Sequence, residues 1–277
     1  MKSSRIKGLH RLPIKERIQA LKERGFLGAE SARTLSQGDA LLPQHVADHM
    51  IENVIGVFGL PLGIAPNFVV NEKDYLVPMV VEEPSIVAGA SSAAKLVRDS
   101  DGFKATSKDP ILIGQIQIVG IEDPDKAVQA LFAAQDELLA LANSGQPRLV
   151  ERGGGARDIE YFKYRLPDGD WTVVLHLLVD TRDAMGANIV NTMCEGLASR
   201  VEDICGGNVV LRILSNLADK SLVTVTTRIN LASLATADFS AEFVRDGIVL
   251  ANDFSIADPY RAATHNKGIM NGIDAVA

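Results

Sequence analysis

Only two cysteines, Cys194 and Cys205, occur among the 277 residues. Placed on one helix they stand about 16 Å apart along its axis, too far to pair within it. No disulfide framework is expected, and the chain reads as reduced and intracellular. Long apolar runs are also missing. The longest uncharged stretch, 53–71, is interrupted by Pro61, Pro66 and three glycines, so it reads as turns and buried strand rather than a membrane span. The basic N-terminus, MKSSRIKGLHRLPIKER, lacks an apolar core, so no secretory signal is expected. Positive charge is short: 28 Lys and Arg against 35 Asp and Glu give a net charge of −7 and a pI near 5.3. That balance removes the bulk electrostatic reason to hold DNA or RNA, and no Lys/Arg stripe stands in for it. The sequence has no GxGxxG fingerprint, no HExxH and no internal repeat. His45, His49 and Glu52 could share one helix face, but without cysteines nearby they read as a hydrated or capped face. No metal site and no membrane association are expected.

What is present has globular proportions: 47% hydrophobic and 23% charged residues. A mass of 29.7 kDa implies roughly 11,600 Å² of exposed surface when folded. Residues 13–35 carry a helical apolar spacing broken at Gly25, and a second helix is expected from Pro43 to about Val54. Short strands follow at Phe68–Asn71 and Tyr75–Val80 around a Glu72–Asp74 turn, then a small-residue helix over Ile86–Arg98. From Asp109-Pro110 the pattern changes. A strand (Ile111–Val119), a helix (Pro124–Ala142), a glycine loop (Gly153–Gly155), two strands around the Pro167–Asp170 turn (Ile159–Arg165 and Trp171–Val179), a helix (Asp183–Cys205) and a strand (Val209–Leu214) follow. Strand-helix-strand-strand-helix-strand is the split βαβ, ferredoxin-like order. The expected fold is α/β of the α+β kind: a large mixed helical/sheet domain, 1–109 and 216–277, with an inserted small domain at 110–215. Apolar segments at Leu222–Arg228 and Phe243–Val249 precede a final helix after Asp258-Pro259.

Three places carry chemistry. Asp183-Ala-Met-Gly186-Ala-Asn188 follows an apolar strand and opens a helix, where Gly186 lets a phosphate approach backbone amides. A glycine used for helix–sheet packing is the other reading. Gly153–Gly155 before Arg157-Asp158 reads as a phosphate-facing loop or as a turn. On the last helix, Arg261, Thr264, Lys267 (or Gly268) and Asn271 recur every three or four residues. Guanidinium, hydroxyl, ammonium and amide on one face form a receptor for a carboxylate and a developing oxyanion. Glu83, beside Pro84 at a helix start, is either a tuned acid or a helix-dipole charge, and Ser85 adds a hydroxyl in the same turn. His176 reads as a packed strand residue.

The segments ENVIG (52–56), VEEPSIVA (81–88), GGGARD (153–158), DAMGAN (183–188), RILSNLAD (212–219) and DPYRAATHNKGIMNGID (258–274) together resemble the class II (bacterial) 3-hydroxy-3-methylglutaryl-coenzyme A (HMG-CoA) reductases. The resemblance implies a large domain that holds the acyl-CoA and a small ferredoxin-like domain that binds the nicotinamide dinucleotide. It implies a cytoplasmic homodimer with interfacial active sites, ENVIG being the dimerisation segment. The implied reaction is the two-step reduction of HMG-CoA to mevalonate and coenzyme A with two reduced nicotinamides, or its reverse. Lys267 is then the cation that polarises the thioester carbonyl, and Glu83 the proton donor. Arg11 resembles a contact to a coenzyme A phosphate; Ser85, Arg261 and Thr264 hold the hydroxymethylglutaryl group, and Asn271 is counted with them. Asp183, Met185, Gly186, Ala187, Asn188 and Asn216 are implied at the dinucleotide. Gln146 stands where an NAD-selecting member has an aspartate, so NAD is the default cofactor and NADP remains open. The family's catalytic aspartate and histidine fall beyond Ala277, so this stretch is expected to carry neither, and on its own to show at most trace turnover. The alternative is a shortened, non-catalytic binder of CoA or dinucleotide.

Overall fold

The computed structural model describes residues 3–38 and 42–277, so the first two residues of the basic N-terminal stretch lie outside it. The fold is mixed α/β, built from helices and small antiparallel sheets. It divides into a larger unit, 1–105 with 225–277, and a smaller unit, 106–224; the sequence had put those seams at 109/110 and 215/216.

In the larger unit a single 3₁₀ turn, Leu9–Arg11, precedes α1 (Ile14–Glu23) and α2 (Ala29–Gln37). Gly25, at φ 72°, ends α1, and the N–H groups of Gly25 and Phe26 donate back to Lys22 and Leu21 carbonyls in a Schellman closure. Ile6, Leu9 and Leu21 form a small core beneath these turns. The helix expected from Pro43 to Val54 is corrected to one turn, α3 (Gln44–Ala47). Its end is closed by the His49 ring, whose Nδ1 lies 2.7 Å from the His45 carbonyl, and Asn53 at φ 57° takes the chain off any helical path. The shared His45–His49–Glu52 helix face therefore does not form.

Strands β1 (Leu62–Val70) and β2 (Lys73–Val80) form a hairpin longer than the sequence suggested. Its turn is Asn71-Glu72, both left-handed at φ 48° and 66°, which matches the twist of a two-residue hairpin and pairs Val70 with Lys73. Pro66 is accommodated where the register shifts between Ala65 and Phe68. Helix α4 (Ile86–Arg98) packs its small-residue face on the hairpin, with Ala94 and Val97 buried. A Cβ at Gly63 would stand only 3.2 Å from Val87, so the glycine permits that close approach. The chain leaves through β3 (Lys104–Ser107).

The smaller unit runs β4 (Ile111–Val119), α5 (Pro124–Ala133), α6 (Gln135–Ser144), α7 (Pro147–Glu151), β5 (Gly155–Arg165), β6 (Trp171–Asp180), α8 (Ala187–Cys205), β7 (Asn208–Leu214). Its antiparallel sheet has the order β5-β6-β4-β7. Alternate residues of the central strands (Ile116, Ile118, Val173, Leu175, Leu177, Val179) meet Leu131, Leu138, Val190, Leu197 and Val201 in one fully enclosed core. Three expectations are corrected here. The helix over 124–142 is two helices, because Ala134 leaves the helical region (φ −97°, ψ 9°) and the Tyr161 hydroxyl donates to the Leu131 carbonyl at 3.2 Å. Helix α7 was not foreseen. Helix α8 starts at Ala187, not Asp183, because Gly186 at φ 84° is its N-cap and cannot be part of a right-handed turn.

The chain returns through β8 (Val223–Thr226), which pairs with β3, to α9 (Ala241–Ala257) and α10 (Pro259–Asp274). The apolar segment Phe243–Val249 lies within α9. No helix among the described residues is long and apolar enough to cross a membrane. The accessible surface is 18,367 Å², well above the roughly 11,600 Å² expected for this mass. Several large apolar side chains of the larger unit are bare: Ile55 is fully exposed and Phe58 88% exposed, and Ile256 and Tyr260 are likewise exposed.

Candidate functional site

The strand β2 ends at Val80, and the turn Val81–Ser85 carries Glu83 toward α10. That helix is started by Asp258, whose Oδ2 accepts the Arg261 N–H at 2.7 Å, with Pro259 in its first turn. Its far end is tied down when the Val80 N–H donates to the Ala275 carbonyl at 2.7 Å, and Ala275 is buried against Ala65 and Met79. Between these anchors, Lys267 and Asn271 are one helical turn apart on the same face. Both reach one atom: Glu83 Oε2 lies 2.8 Å from Lys267 Nζ and 3.0 Å from Asn271 Nδ2.

Two of the three side chains are largely in water; the Lys267 side chain is 62% exposed and that of Glu83 45%. A pair so exposed contributes at most about 1 kcal/mol to stability. Stability therefore does not explain why a carboxylate, an ammonium and a carboxamide converge. Chemically, the cluster offers a cation to an electron-rich oxygen and a carboxylate within proton-passing distance of that cation.

Ser85 caps α4 in the left-handed region at φ 72°, an uncommon state for a residue with a side chain. The Gly89 N–H donates to its carbonyl at 2.7 Å, while no side-chain capping bond forms. Of the other expected substrate contacts, Arg261 and Thr264 share α10 but are not brought onto Glu83. The Thr264 hydroxyl bonds back to the Tyr260 carbonyl at 2.9 Å. Arg11 sits exposed on the 3₁₀ turn near the N-terminus.

In the smaller unit, Asp183, Met185 and Asn188 are exposed on the turn into α8 and its first residues, with Ala187 half-buried and Gly186 buried. A Cβ on Gly186 would stand 2.5 Å from Thr181 Cγ2 and 2.9 Å from Leu112 Cδ1. The packing reading of this glycine therefore holds: nothing larger than hydrogen fits beneath the turn. The first N–H groups of α8 have no partner within the helix, as at any helix start. Gln146 caps α7 and lines a cleft of about 140 Å³ with Leu141, Gly145, Thr192, Met193 and Gly196. Thr192, Met193 and Gly196 were not foreseen; they lie on α8 six to ten residues past Gly186, about 9–15 Å along the helix. Asn216 is exposed just after β7. His176 is the packed residue expected: its Nε2 lies 2.9 Å from Gln115 Nε2 and its ring 4.4 Å from that of Phe162. Burial foremost holds its pKa below the ordinary value.

Sequence reasoning missed Asp180, Arg157 and Arg182 as a group. Asp180 is nearly fully buried, and both guanidiniums close on it and on the Gly153 carbonyl. The only sequence signal was the Gly153–Asp158 segment itself.

Comparison with known proteins assigns the chain to a family. The hydroxymethylglutaryl-coenzyme A reductase family model matches residues 13–277. The 3-hydroxy-3-methylglutaryl-coenzyme A reductase of Archaeoglobus fulgidus is 48% identical over 275 residues, covering 99% of this chain and 61% of that protein. A probable reductase of the same kind from Borreliella burgdorferi is 32% identical over 230 residues, 82% of this chain and 51% of that protein. This chain thus spans between half and two thirds of the length of these relatives. A solved class II 3-hydroxy-3-methylglutaryl-CoA reductase from Streptococcus pneumoniae, bound to NADPH, superimposes with a TM-score of 0.92 at 40% identity, covering 98% of this chain and 72% of that one. The chain belongs to the HMG-CoA reductase family, and its fold follows the class II members.

Proposed function

We propose that this chain carries the acyl-activating and dinucleotide-binding parts of an HMG-CoA reductase, which converts (S)-3-hydroxy-3-methylglutaryl-CoA to mevalonate and CoA with two NAD(P)H, or runs the reverse. The observation that carries the reading is the convergence of Lys267 and Asn271 on Glu83 Oε2. The smaller unit's strand order and its βαββαβ succession support a ferredoxin-like dinucleotide domain. The N-terminus of α8 at Gly186 and the cleft at Gln146 suit an extended dinucleotide lying along α8. That cofactor, when bound, supplies one hydride to the acyl carbon in each of the two reductive steps.

Lys267 Nζ donates to the thioester oxygen and holds the negative charge that collects there as the carbon becomes tetrahedral. Collapse of the hemithioacetal breaks the C–S bond, leaving an aldehyde and a thiolate that takes up one proton. In the second reduction the aldehyde oxygen becomes an alkoxide and then an alcohol, so a second proton must reach it. Glu83, hydrogen-bonded to the Lys267 ammonium, is placed to deliver that proton to the oxygen Lys267 holds. Asn271 keeps Glu83 Oε2 oriented, and the left-handed Ser85 turns its hydroxyl out of the α4 cap for the hydroxymethylglutaryl group. Arg261, Thr264 and Arg11 complete substrate and CoA recognition. The bare apolar stretch around Ile51, Ile55 and Phe58 supports a homodimer in which a second copy covers the ENVIG segment.

In the full-length protein, Lys267→Ala and Glu83→Gln should each cut thioester-dependent nicotinamide oxidation by about three orders of magnitude or more while dinucleotide binding persists. A wild-type protein that binds CoA thioesters without oxidising nicotinamide would make it a binder and refute the reading. Gln146 carries no charge to repel a 2′-phosphate, and the Streptococcus pneumoniae relative was solved with NADPH. Gln146→Asp should therefore shift the NAD/NADP preference toward NAD by about tenfold or more, read as the ratio of kcat/KM values.

A further inference from the structure

Strand β6 ends in a carboxylate that water hardly reaches: the Asp180 side chain is 2% exposed. Its Oδ2 lies 3.2 Å from Arg157 Nη2 and 3.3 Å from Arg182 Nη2, and its Oδ1 accepts the Arg182 N–H at 3.0 Å. The Gly153 carbonyl accepts from Arg182 Nε at 2.8 Å and from Nη2 of both arginines. One buried carboxylate would be satisfied by one guanidinium. Two leave a net positive charge, and both arginines keep more than 40% of their side chains in solvent.

The backbone is strained to achieve this. Arg182 is left-handed at φ 51°, between the triple-glycine loop and the turn carrying Gly186, both of which also need unusual angles. On one side, Gly153 and Gly155 lie at φ 80° and 109°, and a Cβ on Gly154 would stand 2.7 Å from the Asp180 carbonyl. On the other, Thr181 underlies Gly186 at the mouth of α8, and its carbonyl accepts the Ala184 N–H at 3.0 Å. The cluster thus fastens the triple-glycine loop to the turn that enters α8. A strained non-glycine residue holding two such segments marks a functional constraint rather than ordinary packing.

We propose that Asp180, acting through Arg157 and Arg182, is a positioning residue for the nicotinamide dinucleotide. It locks the 153–155 loop and the α8 entry turn in one relative geometry, and the surplus guanidinium charge favours the anionic end of the ligand. This rests on the dinucleotide reading of the smaller unit given above.

The test uses the full-length protein and direct binding. Trp171, the only tryptophan among these 277 residues, lies in the smaller unit, and energy transfer from it to a reduced nicotinamide reads dinucleotide affinity; calorimetry reads CoA-thioester affinity. Asp180→Asn and Arg182→Gly should each weaken dinucleotide binding about tenfold, leaving thioester affinity within about twofold. The KM for the dinucleotide should rise while kcat holds. Glycine relieves the left-handed backbone at 182, so a loss in Arg182→Gly does not reflect misfolding. Arg182→Lys, which keeps the charge, should recover part of the affinity. Unchanged dinucleotide affinity in Asp180→Asn and Arg182→Gly, or an equal loss for both ligands, overturns the proposal. Failure of the wild type to bind any reduced dinucleotide overturns the functional reading first, and this inference with it.

Discussion

Neutralising Asp74 should detach the N-terminal segment from the larger unit, and the structure sets the size and pH range of the effect. The Asp74 Oδ1 accepts the Ser4 N–H at 2.6 Å, the Ser4 hydroxyl at 2.7 Å and Arg98 Nη1 at 2.6 Å. Ser4 itself is fully buried. Burial alone would raise the carboxyl's pKa, but the Arg98 and Ser4 hydrogen bonds and the Arg98 charge outweigh it and bring the value from 3.8 to about 2. At about 1.4 kcal/mol per pH decade this corresponds to about 2.5 kcal/mol, and residual solvent access trims it to about 2 kcal/mol. Because the folded pKa is depressed, the stabilisation is full above about pH 5 and is lost as pH falls through 3.8 toward 2.

Asp74→Asn should therefore destabilise the β1–β2 hairpin by about 2–3 kcal/mol at pH 6, the upper end reflecting an Arg98 left unpaired. At pH 2.5 the gap should fall below about 1 kcal/mol, because the unfolded carboxyl, at 3.8, is then mostly protonated and must give up its proton to form the folded ion pair. Tryptophan fluorescence would miss this, since Trp171 lies in the other unit. Hydrogen exchange at the β1–β2 amides reads it directly. An equal gap at both pH values would show that packing rather than charge holds the segment, and a gap under about 0.5 kcal/mol at pH 6 would refute the whole account. Ser4 stands just upstream of the turn bearing Arg11, so the same variant should weaken CoA-thioester binding more than dinucleotide binding.

Two further outcomes follow from the smaller unit. Gly186→Ala must place a methyl 2.5 Å from Thr181 Cγ2 at φ 84°, and should destabilise that unit by about 3 kcal/mol, measured as the urea midpoint of Trp171 fluorescence. The Cys194 thiol is pushed up to about 12, by burial first and the Glu195 charge second, and burial raises that of Cys205 too. Alkylation of the folded protein near neutral pH should be slow and reach the half-buried Cys205 before Cys194, as read by peptide mass.

Much of the smaller unit was legible because its strands are apolar runs bounded by turn residues, and the central strand β6 is buried along almost its whole length. What failed were backbone decisions made by single residues. Ala134 has no sequence mark of a helix end, yet the Tyr161 hydroxyl takes the Leu131 carbonyl from across the unit. Asn53, Asn71 and Glu72 adopt left-handed angles, which polar residues do without declaring it in composition. The helical spacing of Lys267 and Asn271 could be read directly. Their convergence on Glu83, 184 residues earlier for Lys267, could not, because no periodicity relates segments that far apart; only family resemblance suggested it. Asp180 was invisible for the related reason that a strand-terminal acid looks like any surface residue until its burial is seen.

The two segments with most chemistry share one construction. Each is a strand-to-helix turn whose helix is capped by a left-handed residue: Ser85 before α4 and Gly186 before α8. At such a cap the first N–H groups have no partner within the helix, and the position carries either a side chain at the cost of its backbone angle or none at all. Gly186 takes the second course because Thr181 and Leu112 fill the space a Cβ would need. Ser85 takes the first: its side chain forms no capping bond, so the cost of its angle, of order 1–3 kcal/mol, is not recovered by the helix it begins. A hydroxyl held at that cost, one residue from the Pro84 that follows Glu83, is explained by what it presents rather than by what it stabilises. Under the proposed function, the larger unit's turn presents a side chain to the acyl substrate, while the smaller unit's turn presents bare backbone to the dinucleotide.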